Sequence, residues 1–406
     1  RYISNLLYLY FFLSKLILEN PVHQAIFIFL FGILPPSIKI SILGMEYGIL
    51  FFLEMALLYF GFKQNKIWAQ ILFPILILFT RIDTVIFLGI VFLVDIIWNK
   101  KVRWFYILGG MLGVAVLMSF NWFYFGELVN NTIVAKSVTY AKNMSLALQW
   151  KYFLMNYGNF WGMLKLPGDF NPFTILVLVF EFLAFLYIVS KKESKNLFIW
   201  IIFLFGWTKQ LIFISQRSYF DWYYWVPQIL LFAVILVFVL EQKTYKFWWI
   251  SLLIIFYILP MAAFQTIHSI ATGNGEWNYR RSIGLFLKDY EKDKNQYILL
   301  EPAGYIPYFS DLKAIDEVGL VDKEIQTEIK KDKANYWKNT VEKRKPKYLL
   351  APKNLFEGKD GSFYQENYRL LKEFRIKNHL NSDNKILEKI YRLKPSGTDY
   401  NLYERK

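Results

Sequence analysis

The sequence predicts a mostly α-helical, polytopic membrane body followed by a small soluble α/β domain. Three observations lead there. Of 406 residues, 55% are hydrophobic and 20% aromatic, while 19% are charged, against roughly 25% in ordinary soluble domains. The charge is unevenly placed: residues 1–269 hold 20 Lys/Arg and 11 Asp/Glu, residues 270–406 hold 27 and 21. Apolar stretches also recur through the first part at lengths near the ~20 residues that span a bilayer as a helix. This composition excludes disorder and argues against an ordinary cytosolic enzyme. With no Cys, disulfides, thiolate metal sites and cysteine catalysis are excluded. His23, His268 and His379 are too far apart in sequence to suggest a zinc motif.

Ten stretches qualify or nearly qualify as spans: residues 3–19, 24–43, 47–62, 67–80, 84–98, 104–122, 171–190, 197–215, 226–241 and 246–267. Several are short, so tilted or re-entrant pieces are expected. Pro35-Pro36 should break the second, because neither residue has a backbone N–H to donate. Lys63 and Lys66, then Lys100, Lys101 and Arg103, then Lys191, Lys192 and Lys195, then Lys243 and Lys246 fall in alternate connections. Basic short loops stay in the cytoplasm, so the outer loops 123–170 and 215–226 and the domain 270–406 are expected outside. The formal charge of +15 then reads as topology and contact with anionic lipid, not nucleic-acid binding. The first residue is Arg, and an even span count would put both ends outside, so a further preceding span is expected.

The 270–406 domain alternates helix and strand signals. Asn278–Tyr290 sets Ile283, Phe286, Leu287 and Tyr290 on one helical face. Tyr297–Leu300, Ala314–Ile315, Tyr348–Leu350 and Ile386–Leu393 read as strands, and Lys323–Lys345 as mostly helical. Glycine-rich phosphate loops, GxSxG and HExxH are absent.

Charged residues inside or beside apolar spans are costly and therefore candidates for function. Glu46 lies at the outer end of one pair of spans, and Arg81 and Asp83 at the outer turn of the next. They are read either as a salt bridge from Arg81 to Glu46 or Asp83 that pins helix ends, or as an ionic floor for a charged substrate. The long outer loop supplies Asn130, Asn131 and Lys136, with Trp122, Tyr124, Tyr140 and Trp150 interleaved; lysine is a point-charge partner for phosphate. In the second outer loop Arg217 is a candidate phosphate contact and Trp222 and Tyr223 a candidate wall, against an aromatic belt. In the tail, Tyr308 and Asp316 lie in loops that either close over a site or simply turn.

Gly44-Met45-Glu46 followed by Thr80-Arg81-x-Asp83 resembles a motif pair of GT-C superfamily glycosyltransferases. The stretch from Tyr124 to Thr132 with Lys136, the aromatic Trp222-Tyr223-Tyr224-x-x-Pro227, Asn278-x-Arg280, Gly304–Ser310 and Ile315–Asp322 are similar to the bacterial branch that includes terminal arabinofuranosyltransferases. The resemblance runs along nearly the whole chain. It implies a GT-C-type body in the bacterial inner membrane with an extracytoplasmic C-terminal domain. The implied reaction is transfer, with inversion, of a sugar from a polyprenyl-phosphate donor to a cell-envelope glycan or glycolipid. Lys136, Arg81 and Arg217 would hold the donor phosphate, and Glu46, Asn131, Trp222, Tyr223, Tyr308 and Asp316 would line the substrate. The family's acidic pair would precede Arg1, leaving Asp83 and Asp221 as in-chain stand-ins for the general base. No metal site or cofactor is assigned, with a divalent cation left open. The expected partners are the lipid-linked donor, the acceptor glycan and membrane lipids, with no nucleic acid. A lipid-linked sugar flippase and an inactive glycan-binding envelope protein remain the alternatives.

Overall fold

A computed structural model of the protein describes residues 2–42, 46–128, 135, 145–160, 173–215, 221–242, 246–301, 303–352, 354–376, 385, 386, 388, 389 and 397–406. The chain divides into two compact units, Arg1–Leu128 with Lys142–Thr266, and Val129–Ala141 with Ile267–Lys406.

The first unit is all helical. Its helices are α1 (Tyr2–Ile17), α2 (Pro21–Ile33), α3 (Pro35–Ile42), α4 (Tyr47–Ala56), α5 (Ile67–Thr80), α6 (Val85–Asn99), α7 (Trp104–Phe125), α8 (Leu146–Phe160), α9 (Phe173–Ser190), α10 (Asn196–Ser215), α11 (Asp221–Leu240) and α12 (Lys246–Tyr290), the last continuing into the second unit. The Asn20 side chain caps α2 by accepting from the Val22 and His23 N–H groups, with Pro21 just inside the helix. Pro35-Pro36 ends α2 and opens α3 as the sequence anticipates: Leu34 is extended, and the prolines fill the first turn, where N–H groups lack partners anyway.

Each of the ten apolar stretches is helical over most of its described residues, but length separates them. Four helical segments are long and apolar enough to cross a membrane among the described residues: Ile82–Asn99, Trp104–Phe125, Asn196–Ile214 and Tyr223–Leu240. Pro21–Ile33, Ile67–Thr80 and Thr174–Ser190 are shorter apolar helices. Helix length therefore does not support a count of ten spans. Hydropathy alone does not register the break at Leu34, which Pro35-Pro36 signals, or the wider helical winding of Leu57–Lys63 that continues α4.

The four long segments differ in surroundings. Of Tyr223–Leu240, 89% is buried within the protein, but of Trp104–Phe125 only 28%. On α7, Trp104, Met111 and Phe123 point outward, the signature of a helix whose apolar face meets lipid rather than neighbours. The inner face of α7 lies unusually close to α5. A Cβ placed on Gly109 would sit 2.6 Å from the Gln70 carbonyl oxygen and 2.8 Å from the Ile71 Cα; one on Gly113 would sit 3.1 Å from the Ile75 Cα. Two glycines four apart thus let the backbones meet, as in membrane helix pairs.

Among the described residues the second unit carries a five-stranded sheet of order β2-β1-β3-β5-β4. Strands β1 (Tyr297–Leu300), β2 (Lys313–Asp316) and β3 (Tyr348–Ala351) run parallel, and β4 (Tyr368–Phe374) and β5 (Tyr400–Arg405) run antiparallel. Alternation splits the core. Ile298, Leu300, Tyr348 and Leu350 pack with Tyr279, Ile283 and Leu287 of α12. Leu299, Ile315 and Leu349 pack on the other face with Ile325, Ile329 and Val341, from α14 (Lys323–Lys331) and α15 (Tyr336–Arg344). Helices on both faces explain the near-continuous apolar strands. The expected strand Ile386–Leu393 is not found: Ile386, Glu388 and Lys389 are helical, and the remainder lies outside the described residues. Edge strand β4, exposed over Arg369-Leu370 and Lys372-Glu373, escaped detection because its polar stretch lacks strand alternation.

Glu291, at the end of α12, ties that helix to the sheet. Its carboxylate accepts from the Tyr348 hydroxyl (2.8 Å) and the Asp293 N–H (2.8 Å) and pairs with Lys347. Burial pushes its titration up, but these hydrogen bonds and the Lys347 charge outweigh it and hold the group below the ordinary 4.5. The corresponding stabilisation is complete above that ordinary value and is lost as pH falls through the lower folded value. Glu291→Gln should therefore cost about 1–2 kcal/mol at neutral pH and flatten the acid limb below about pH 4.5. Hydrogen exchange of the β1 and β3 amides across pH measures this; unchanged protection would remove Glu291 from the account.

Candidate functional site

Arg81 ends α5 in an extended conformation (φ −158°, ψ 128°), and Ile82–Thr84 forms one tight turn into α6. Thr84, fully buried, donates its hydroxyl to the Arg81 carbonyl and fixes this turn. The turn aims Arg81 and Asp83 at the same place. Arg81 Nη1 pairs with Glu46, which precedes α4, and Arg81 Nε pairs with Asp83 Oδ1 at 2.7 Å. The guanidinium lies over two rings, Tyr47 at 4.7 Å and Tyr223 of α11 at 5.1 Å. Tyr223 in turn stacks on Phe213 at 4.8 Å.

The cluster extends inward. Lys209 of α10 is completely buried and pairs with Asp83 Oδ2 at 3.4 Å. Its ammonium lies 5.3 Å from the Phe205 ring centroid and 5.8 Å from that of Phe213. Glu54 of α4 is also completely buried, and both its oxygens lack hydrogen-bond partners. It feels the charges of Lys209, Asp83 and Arg81. Opposite signs thus alternate along Glu46, Arg81, Asp83 and Lys209, and the unpartnered Glu54 carboxyl is buried beside them. Side-chain exposure falls from 36% at Glu46 and 18% at Asp83 to zero at Lys209.

The pairing of Arg81 with Glu46 and Asp83 is the helix-pinning arrangement the sequence offered, and both carboxylates take part. An anion reaching Arg81 would compete with Glu46, the more exposed of the two. Lys209 and Glu54 were missed by sequence reasoning, although each is a lone charge inside an apolar run and so carried the same signal as Arg81. A second buried carboxyl, Glu181 of α9, accepts from the Tyr157 hydroxyl of α8.

The other candidates are dispersed. Lys136, Asn131 and Arg217 lie outside the described residues, as do the side chains of Asp221 and Trp222 in the first turn of α11. Tyr308 stands 76% exposed on α13 (Tyr305–Ser310) in the second unit. Asp316 is buried, and its two oxygens accept from the Val318 and Val321 N–H groups at 3.1 Å each. Those bonds shape the loop after β2, where Gly319 takes a left-handed φ of 76°. Asp316 thus builds its loop instead of facing an open site. Among the described residues no group of three or more His, Asp or Glu side chains is placed to hold a metal ion.

Residues 266–403 match a family model described as a domain of unknown function (DUF8728). No curated protein and no solved structure matches the chain. The matched segment takes in β1 to β4, the first four residues of β5 and the C-terminal half of α12; the ionic cluster of the first unit lies outside it.

Proposed function

We propose that this protein is a bacterial inner-membrane glycosyltransferase of GT-C type. It would move a sugar from a polyprenyl-phosphate donor to an envelope glycan or glycolipid at the outer face, where its C-terminal domain resides. One observation carries the reading. Three segments that bear the resemblance, at Glu46, at Arg81 with Asp83, and at Tyr223, lie far apart in sequence and meet around one guanidinium. In the reaction the acceptor oxygen bonds to the anomeric carbon as the bond from that carbon to the phosphate oxygen breaks. Polyprenyl phosphate leaves with the electron pair, and the acceptor proton passes to a carboxylate base. Cations that stabilise the departing phosphate supply the larger protein contribution, with Arg81, Lys136 and Arg217 as the candidates.

The reading is tested with purified protein, a panel of polyprenyl-phosphate pentoses and hexoses, and membrane glycolipid as acceptor. Transfer is expected, and Lys136→Ala should abolish it without loss of folded protein. Absence of transfer with every donor, or wild-type turnover in that variant, removes respectively the enzyme or the lysine. The topology has its own check: the chain has no Cys, so Lys406→Cys should react with an impermeant maleimide in intact cells. A flippase reading is favoured by one feature, the fully buried Lys209 and Glu54, because ionisable groups inside a membrane commonly line transport paths. Translocation of a lipid-linked sugar in proteoliposomes, without transfer, would decide for it.

A further inference from the structure

The second unit carries an exposed aromatic cluster, of which the resemblance singles out Tyr308 alone. Trp277 of α12 is 43% exposed, and Tyr305 and Tyr308 of α13 are 40% and 76% exposed. The rings are fixed by one another. Trp277 meets Tyr305 and Phe309 edge-on at 5.9 and 5.6 Å, and Tyr305 lies parallel to Phe309. The backbone holds the assembly in place: a Cβ on Gly284 of α12 would lie 2.7 Å from the Phe309 Cβ and 3.0 Å from the Ile306 carbonyl oxygen. Helix α13 is therefore seated directly on α12.

Charged groups of both kinds border these rings. Arg281 lies over Trp277 and Phe309 at 5.2 and 5.6 Å, and its buried Nε has no hydrogen-bond partner. Glu276 pairs with Arg280 at 2.5 Å and feels Glu301, the exposed residue four positions before Tyr305. Glu317 also feels Glu301.

We propose that this cluster is a carbohydrate-binding platform for a neutral glycan, with Trp277, Tyr305 and Tyr308 as stacking faces and Glu276, Glu301, Arg280 and Arg281 as hydrogen-bonding rim. A sugar is at once donor, acceptor and apolar on its C–H face, so it matches acceptor-only carboxylates, donor-only guanidinium groups and open rings together. The other occupants fit less well. A phosphate or an acidic peptide would face the Glu276 and Glu301 carboxylates. A quaternary ammonium would compete with Arg281, which already fills the cation position over the rings. An anionic leaflet would be repelled by the same acids.

The platform goes beyond sugar transfer and is tested apart from it. Full-length protein in detergent is titrated with neutral gluco-, manno- and galacto-hexasaccharides and read by saturation-transfer NMR. Saturable binding of at least one is expected. Tyr308→Ala, at a solvent-exposed position, should weaken it roughly five- to ten-fold. Trp277→Ala should weaken it further, and Leu370→Ala on distant β4 should leave it unchanged. Binding by none of the hexasaccharides, or binding indifferent to Tyr308→Ala, overturns the platform even if sugar transfer is intact. Loss of transfer with binding intact overturns only the enzyme reading. Because the chain lacks Cys, Tyr308→Cys gives a single nitroxide site in proteoliposomes. Collisions with aqueous nickel chelate are expected, and dominant collisions with lipid-dissolved oxygen would overturn the platform in favour of a membrane anchor.

Discussion

Replacing Lys209 by methionine is expected to destabilise the membrane body by about 3–5 kcal/mol, the usual effect of removing one partner from a buried ion pair. Lys209 is the only cation facing Asp83 from α10, and it is completely buried. Without it, Glu54 and Asp83 share an apolar interior with Arg81, whose charge is already divided between Asp83 and Glu46. The observable is the midpoint of thermal unfolding in detergent and the yield of monodisperse protein. A second substitution separates charge from packing: Glu54→Gln replaces the other buried, unpartnered acid of the cluster. In the Lys209→Met background it should restore a large part of the lost stability, a coupling that independent sites do not show. A Lys209→Met protein that melts like the wild type would sink the idea that opposite charges hold this cluster.

The second large effect comes from two adjacent glycines with opposite expectations. Gly109→Ala should destabilise by about 1–3 kcal/mol, because the new methyl meets the backbone of Gln70 and Ile71, which cannot rotate aside. Gly110→Ala should be neutral or stabilising by up to about 1 kcal/mol, since nothing lies within 4 Å of its Cβ position and alanine favours helix. The displacement bears on the site, because Arg81 follows directly on α5 and from there meets Glu46 and Tyr223. Paired melting curves measure the contrast. Equal melting of the two variants would mean that α5 and α7 do not meet through Gly109.

Much of this was legible in the sequence, for reasons that differ by element. Helices in the first unit were legible because long apolar runs have few other ways to satisfy their backbone in lipid. Their lengths were legible only in part: Pro35-Pro36 marks the break at Leu34, whereas the wider winding that continues α4 over Leu57–Lys63 leaves no sign in hydropathy. The close contact at Gly109 and Gly113 did leave a mark, two glycines four apart in an apolar run, which the reading of composition and charge passed over. In the tail, β1 and β3 stood out because both faces are buried and their residues are all apolar. Strands β4 and β5 did not, since β4 is exposed at the edge and β5 mixes Asn401 and Glu404 with apolar residues. Of the site, Glu46, Arg81 and Asp83 were found because charge is conspicuous beside apolar spans. Asp316 stayed open between a substrate contact and a turn, because a loop aspartate that binds its own backbone looks, in sequence, like one that awaits a ligand.

The distribution of these charges over α4, the α5–α6 turn and α10 also bears on biogenesis. Synthesis delivers Glu54 and Asp83 long before Lys209, so the early helices must lodge their acids before the compensating lysine exists. Insertion of this body is then a joint event, completed when α10 docks and not segment by segment. A chain arrested before Lys209 would leave its first hairpins exposed to membrane quality control.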